Sequence, residues 1–176
     1  MVVVAVSDLA GVVVRDELGF AEFVRAEQVN LVRLALLLVG DRADAEDLAQ
    51  VCLVRMSRRW DRLDQPHAYA RTVLATLAVD RWRRLRRLPI SVVLPDRAAA
   101  GDHAADTVAR NAMLHELRRL PARQRAVLVL RFYEGWSEAE IAAALRCSPG
   151  TVKTHAVRGL ARLREQLTAV EDGSAG

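Results

Sequence analysis

The segment SEAEIAAALRCSPGTVKTHAVRGLARL at residues 137–163 constrains the fold most, because it carries the start signals of two short helices in tandem. Ser137 and Glu140 form an S-x-x-E capping box ahead of an apolar run. Ser148 can cap a second helix, and Pro149 suits its first turn, where the missing N–H would be unpaired anyway. Two short helices joined by a tight turn are typical of a helix-turn-helix, which places its second helix in the major groove of DNA.

The second helix of this motif is predicted to have one buried and one basic face. Apolar residues recur at helical spacing on the buried face: Val152, Ala156, Leu160, Leu163 and Leu167. The opposite face carries Lys153, Thr154, His155, Val157, Arg158, Arg162 and Arg164. An ordinary helical hairpin with a solvated basic face is the alternative interpretation. The two caps and the threonine on the basic face favour DNA binding.

The composition favours helices and an anionic partner. Apolar residues make up 52% of the chain and aromatics 5%, and the abundance of Ala, Leu and Arg favours helices over strands. The net charge of +4 comes from arginine, which suits bidentate contacts with phosphate and guanine. Basic residues cluster at 81–87 and 153–164.

Cysteine usage and hydropathy predict a cytoplasmic protein without metal or cofactor. Cys52 and Cys147 have no C-x-x-C partner, which indicates reduced thiols and no zinc site. The apolar N-terminal stretch lacks a basic start and contains Asp8, so it is a poor signal peptide. The apolar run 34–39 is too short to cross a bilayer, and no direct membrane insertion is expected.

Turn signals and composition divide the chain. Gly40 is expected to end one helix in a left-handed cap, and Asp41 to begin the next. Prolines, small residues and the lack of an amphipathic period mark a linker. We therefore predict an all-α protein of two small helical bundles joined by a flexible linker. Its parts are a leader at 1–16, bundles at 17–88 and 108–170, a linker at 89–107 and a tail at 171–176.

Catalytic motifs are missing from the sequence, which argues against an enzyme. The four histidines are scattered, and H-E-x-x-H, G-x-S-x-G and P-loop patterns do not occur. A nuclease or recombinase needs clustered carboxylates or a Tyr or Ser nucleophile in a basic site. Of the two tyrosines, Tyr133 lies among apolar residues and is predicted to be buried.

Four segments in this order resemble the extracytoplasmic-function sigma factors, small promoter-recognition subunits of RNA polymerase, and the second half most resembles their actinobacterial branch. The segments are DAEDLAQ at 44–50, RRW at 58–60, AYARTVLATLAVDRWRR at 68–84 and the stretch 117–164. The resemblance implies that the first bundle is region two, which binds core RNA polymerase and captures the minus-ten element as a melted strand. The second bundle would be region four, which recognises the minus-thirty-five element as duplex DNA.

The acidic helix that contains residues 44–50 is the expected polymerase-binding surface. Asp47 and Gln50 lie three residues apart and are therefore neighbours on a helix. An exposed carboxylate and amide suit pairing with arginines of a partner helix. The resemblance assigns Glu46, Asp47, Gln50, Val54 and Arg55 to polymerase binding. The alternative is a solvated helix start whose carboxylates favour the helix dipole.

The end of the first bundle combines rings for stacking with cations for phosphate, as single-stranded DNA binding requires. The expected minus-ten contacts are His67, Tyr69, Arg71, Thr72, Thr76, Arg81, Arg83 and Arg84. Trp60 can be core or DNA-facing, whereas Trp82, among arginines, is expected outside. Family members commonly carry Asn at the position of Thr76. A hydroxyl offers different hydrogen bonds from an amide, so the family's minus-ten preference does not carry over.

In the second bundle, the expected minus-thirty-five contacts are Lys153, Thr154, His155, Val157, Arg158, Arg162, Arg123 and Arg125. Lys153 or Arg158 can pair with guanine O6 and N7, and Val157 can meet a thymine methyl group. The remaining basic residues of this set are expected on phosphates.

The resemblance implies three partners: core RNA polymerase, promoter DNA and an anti-sigma factor. The alternative is a helix-turn-helix transcription regulator of the LuxR type that acts without being a polymerase subunit. Such a regulator needs a sensor domain or a dimerisation helix, and the first bundle offers neither a ligand motif nor a heptad seam.

Overall fold

The computed structural model describes residues 6–85 and 106–173, and every regular element in those ranges is helical. The helices are α1 (Val6–Val39), α2 (Arg42–Ser57), α3 (Pro66–Leu85), α4 (Asp106–Arg119), α5 (Ala122–Leu128), α6 (Glu138–Leu145) and α7 (Pro149–Gly173). A 3-10 turn, Trp60–Arg62, precedes α3, and a π-helical turn, Val129–Tyr133, continues α5. The predicted all-α class is confirmed.

The turn between α1 and α2 has both predicted caps. Gly40 adopts φ +84°, and its N–H donates to the Leu36 carbonyl at 2.8 Å, which ends α1 in a left-handed cap. The Asp41 side chain accepts from the Asp44 N–H at 3.0 Å and begins α2. This tight turn brings α1 and α2 into side-by-side contact, and α3 packs on both.

The core of the first bundle is apolar and includes one cysteine. Leu38, Met56 and Leu74 are fully buried, one from each helix. The Cys52 thiol is buried beside them, 3.6 Å from the Ala70 carbonyl. Burial raises the pKa of the Cys52 thiol to about 12, so it stays protonated at neutral pH. Its contribution is therefore packing.

An aromatic cluster decides the position of Trp60. Its ring lies 5.2 Å, between centroids, from both Phe20 and Phe23 of α1. Trp60 is thus half-buried against the core. Trp82 was expected outside, and this prediction was wrong, because Trp82 is only 9% exposed. The second bundle covers it, since Pro121 and Gln124 line the same cleft.

The helix-turn-helix forms as predicted. The Glu140 N–H donates to the Ser137 hydroxyl at 3.3 Å, and the Ser137 N–H donates to the Glu140 carboxylate at 2.8 Å. The Ser148 hydroxyl accepts from the Thr151 N–H at 3.2 Å at the start of α7. Ile141 and Val152, one from each helix, are fully buried. The capping box and the second cap are both confirmed.

Tyr133 was expected in the core, and this prediction was wrong, because its side chain is 53% exposed. Tyr133 ends the π-helical turn Val129–Tyr133. A π-helical turn inserts an extra residue and rotates the side chains that follow. Phe132 and Tyr133 therefore point outward, although they continue the apolar run of α5.

The predicted boundaries differ from the observed helix ends. Helix α1 begins at Val6, inside the predicted leader, because extending a formed helix costs far less than starting one. Helix α4 begins at Asp106, just before the predicted second bundle. Most of the predicted linker, residues 89–105, lies outside the described residues.

The two bundles contact each other directly. Helix α1 packs on α4 and α5, and α3 packs on α6. The buried apolar side chains of both bundles form one continuous cluster. The structure therefore places the second bundle against the first, with α3 at the boundary.

Candidate nucleic-acid and polymerase interfaces

The outer surface of α2 is solvent-exposed and mixes acid, amide and apolar groups. All the residues expected to bind polymerase are exposed: Glu46, Asp47, Gln50, Val54 and Arg55. Glu46 pairs with Arg42 at 2.8 Å across one helical turn. Val51 is also exposed, at 44%, and it was not among the residues predicted from the sequence for this surface. Its position four residues after Asp47 was the available signal.

Arg81, expected on DNA phosphate, instead forms an ion pair with Asp44 at the start of α2. Both side chains are largely covered. Burial raises the pKa of Asp44, and the Arg81 charge opposes this shift. Arg81 therefore ties α3 to α2. Of its two basic neighbours, Arg84 is exposed and Arg83 is half-buried.

Five other expected minus-ten residues lie on the first half of α3, and we call this set the α3 face: His67, Tyr69, Arg71, Thr72 and Thr76. Tyr69 is half-buried and packs against the hydrophobic core. The Thr72 hydroxyl donates to the Ala68 carbonyl at 3.0 Å, and the Thr76 hydroxyl to the Thr72 carbonyl at 2.8 Å. The His67 ring packs on Phe23 with centroids 5.1 Å apart. Each threonine hydroxyl keeps its acceptor lone pairs for a ligand.

Three residues of the α3 face lie opposite the second bundle across a cleft of about 700 Å³. From α3 the cleft is lined by Arg71, Thr72 and Thr76, and from the second bundle by Trp136, Ala143 and Arg146. The Arg71 Nε lies 2.8 Å from a carboxylate oxygen of Glu134, whose side chain is 7% exposed. Burial raises the pKa of Glu134, while the Arg71 charge opposes this shift.

Helix α7, the second helix of the helix-turn-helix, exposes its basic side to solvent. We call its exposed set the α7 face: Lys153, Thr154, Val157, Arg158 and Arg162. Val157 is 68% exposed and presents its methyl groups to solvent. The Lys153 Nζ lies 3.7 Å from Glu138 of α6. A hydrogen bond from Arg131 lowers the pKa of Glu138, and Lys153 adds to this effect.

His155 is less open than its neighbours on α7. It lines a cleft between the bundles with Val79 and Trp82 of α3. Its Nδ1 is buried and has no hydrogen-bond partner among the described residues. Burial lowers the pKa of His155, and the charges of Arg123 and Arg158 lower it further. A neutral imidazole suits this position better than the predicted phosphate contact.

Arg125 was expected on phosphate, but the structure buries its side chain at the boundary between the bundles. Its Nε donates to the Leu38 carbonyl at 3.0 Å, and its Nη2 to the Val39 carbonyl at 2.8 Å. Its Nη1 donates to the Arg118 carbonyl at 3.2 Å. We call this arrangement the Arg125 cap. Arg123 is half-buried nearby.

The unpaired carbonyls at the end of α1 explain why an arginine is stabilised at this position. The last carbonyls of a helix lack partners and carry partial negative charge, so a cation stabilises them. Gly40 follows these carbonyls, and a Cβ added to Gly40 would lie 3.0 Å from the Arg125 Nη1. A glycine at this cap therefore satisfies φ and also leaves room for the guanidinium.

Residues 6–85 and 106–173 contain no group of three or more His, Cys, Asp or Glu side chains arranged to hold a metal ion. Within the same ranges, no helix is both long and apolar enough to cross a membrane.

Comparison with known proteins matches both halves of the chain. The profile of Sigma-70 region 2 matches residues 23–88, and that of Sigma-70, region 4, matches residues 110–163. The RNA polymerase sigma-E factor of Streptomyces avermitilis is 42% identical over 86% of this chain and 87% of its own length. The ECF RNA polymerase sigma factor SigM of Mycobacterium tuberculosis is 30% identical over 94% and 85%.

A solved structure shares the fold. It is the sigma factor RpoE of Bartonella quintana, in complex with the anti-sigma factor NepR, with a TM-score of 0.68 and 24% identity. The likeness covers 85% of this chain and 97% of that one. The paired region matches support the resemblance to sigma factors, and they do not support the LuxR alternative.

Proposed function

The chain belongs to the sigma-70 family of RNA polymerase sigma factors, extracytoplasmic-function type, and from that premise we propose how its surfaces divide the work. The α2 surface around Asp47 binds core RNA polymerase. The α3 face holds the minus-ten element as a melted strand, and the α7 face recognises the minus-thirty-five element as duplex. Binding energy replaces covalent chemistry in opening the duplex, so the chain is a non-enzymatic subunit.

The α7 face supports this assignment most strongly. Its side chains are exposed on a helix whose opposite side is buried and whose start is capped. A helix of this kind fits the major groove without rearrangement. Lys153 or Arg158 can bond to guanine, and Val157 can contact a thymine methyl group.

The α3 face suits single-stranded DNA. Tyr69 and His67 provide rings for stacking, and Arg71 and Arg84 provide charges for phosphate. Thr76 offers a hydroxyl whose proton already bonds to the Thr72 carbonyl, so its free lone pairs accept hydrogen bonds. We therefore expect Thr76 to prefer a donor on the base or sugar that it meets.

The remaining assignments follow from family membership. We propose a cytoplasmic location, where polymerase and promoter DNA are found. We also propose regulation by an anti-sigma factor, the class of partner that accompanies the sigma factor of Bartonella quintana.

Run-off transcription with sigma-free core polymerase and a promoter library tests the assignment. The wild-type chain should select promoters with two separated elements. Asp47→Lys should abolish transcription and co-migration with polymerase, because it reverses a charge on the α2 surface. Glu22→Lys is the matched control, since it makes the same reversal on an exposed part of α1. Equal activity of the Asp47→Lys variant and the control would refute the α2 assignment.

A further inference from the structure

We propose that Glu134 is an internal competitor for DNA: it occupies Arg71 in a closed form of the chain, and the Arg125 cap holds that form together. The proposal rests on the assignment of the α3 face to the minus-ten strand. It adds a regulatory role for Glu134 and Arg125 of the second bundle, neither of which contacts DNA in this proposal.

The first step is the chemistry at Arg71. A guanidinium binds carboxylate and phosphate oxygens through the same N–H groups. In the closed form the Arg71 Nε lies 2.8 Å from Glu134, so this side of the guanidinium is occupied. The Glu134 side chain is almost fully covered, whereas that of Arg71 is half-exposed. DNA phosphate that binds this side of Arg71 must therefore displace a carboxylate that is already in place.

The second step is the geometry around this pair. Thr72 and Thr76 face the helix-turn-helix across the cleft that Arg71 and Glu134 share. A second interbundle ion pair, between Arg146 and Asp80 at 3.9 Å, lies further along α3. Arg71 and the two threonines thus face the same neighbour. A bound strand and the closed contact therefore compete for the Nε side of Arg71.

The third step is what holds the bundles together. The Arg125 cap joins α5 to the end of α1 by two hydrogen bonds, at 3.0 and 2.8 Å. A buried guanidinium is stable only where its donors are bonded, so partial opening of this contact is unfavourable. Full separation returns both groups to water. The contact is therefore suited to switch between closed and open forms.

Competition of this kind lowers the apparent affinity for DNA by the fraction of molecules that are open. The test uses the full chain without polymerase. The probe is a fluorescent single-stranded oligonucleotide of mixed sequence, about twelve nucleotides long, which spans a typical single-strand site. Fluorescence anisotropy at low salt gives the dissociation constant.

Glu134→Gln is the central variant, because it removes the competing charge and keeps the shape. We expect it to bind the oligonucleotide about three- to tenfold more tightly than wild type. Glu165→Gln makes the same change of net charge on an exposed side of α7 and is the matched control. Equal gains for the two variants would mean that general electrostatics explains the effect and would overturn the proposal.

The role of Arg125 has its own readout. Small-angle X-ray scattering should show a larger radius of gyration for Arg125→Gln than for wild type, with unchanged helix content by circular dichroism. If Arg125→Gln does not fold, the double variant Glu134→Gln with Asp80→Asn removes both ion pairs across the cleft and should expand instead. If the folded variant has the same radius of gyration as wild type, the closed form is contradicted.

Transcription separates this proposal from the one on which it rests. If neither wild type nor Glu134→Gln supports run-off transcription with core polymerase, the assignment of the DNA faces fails. If wild type is active and Glu134→Gln matches Glu165→Gln in binding the oligonucleotide, the competitor role fails alone.

Discussion

The α7 face and the α3 face are both basic helical surfaces, but they differ in what lies in front of them. The α7 face looks into solvent and is fixed by caps within its own motif. Part of the α3 face looks onto the second bundle, where Arg71 pairs with Glu134 of that bundle, whereas the pair of Lys153 with Glu138 stays within the helix-turn-helix. The contrast shows that local interactions make a binding surface, whereas tertiary contacts decide whether it is available.

The largest expected effect comes from removing the packing behind the α7 face. Ile141 is fully buried between α6 and its neighbours, so Ile141→Ala leaves a cavity and should lower the free energy of unfolding by about 2–5 kcal/mol. Urea denaturation measures this loss. Val157→Ala trims an exposed valine of the same motif and should change stability little. A small effect of Ile141→Ala would mean that the α7 face does not depend on its core.

The next effect concerns the boundary between the bundles. Gly40→Ala places a Cβ on a residue with positive φ and against the Arg125 guanidinium. We therefore expect the free energy of unfolding to fall by about 1–3 kcal/mol, as measured by thermal or urea unfolding. Gly135→Ala is the matched control, because Gly135 has φ +70° and nothing within 4 Å of an added Cβ. The excess loss for Gly40 measures the contacts with Arg125 and Arg118. Equal losses would show that the cap contributes nothing there.

The capping box tests how local the α7 face is. Ser137→Ala removes the acceptor for the Glu140 N–H and should cost about 1 kcal/mol of unfolding free energy. Ser57→Ala removes an exposed hydroxyl that bonds only to the Val54 carbonyl, so it should cost much less. If the two variants lose the same stability, the motif is held by packing alone.

The smallest expected effect is a pH dependence of the cleft around His155. The pKa of His155 is lowered in the folded chain, so the unfolded chain takes up a proton first as the pH falls. The stability that neutral His155 contributes is complete above its ordinary pKa of 6.5 and is lost progressively below it. His155→Gln should flatten this part of the profile of melting temperature against pH. A profile of the His155→Gln variant identical to that of wild type would remove His155 as the cause.

The outcome of the sequence predictions follows this division between local and distant interactions. The helix-turn-helix, its capping box and the caps at Gly40 and Asp41 are confirmed, because each depends on residues within four positions. Trp82 and Tyr133 were placed wrongly. The first is covered by another bundle, and the second is turned outward by a π-helical turn, so neither follows from helical spacing.

The candidate site divides in the same way. The exposure of Asp47 and Lys153 follows from helical periodicity, which identifies the buried side of each helix and hence the open side. The environment of Arg71, Arg81 and Arg125 does not. Each has an oxygen partner that is distant in the sequence, and periodicity carries no information about such partners.

By itself the sequence determined which stretches become helices, where those helices start and which of their faces are polar, since caps and periodicity act over one or two turns. Only the tertiary structure decided that Arg125 caps α1, because the Leu38 carbonyl that it binds lies 87 residues away. It also decided that Glu134 meets Arg71. An arginine has the same chemistry whether it faces carbonyls, carboxylate or phosphate, so its partner is chosen by how the helices pack.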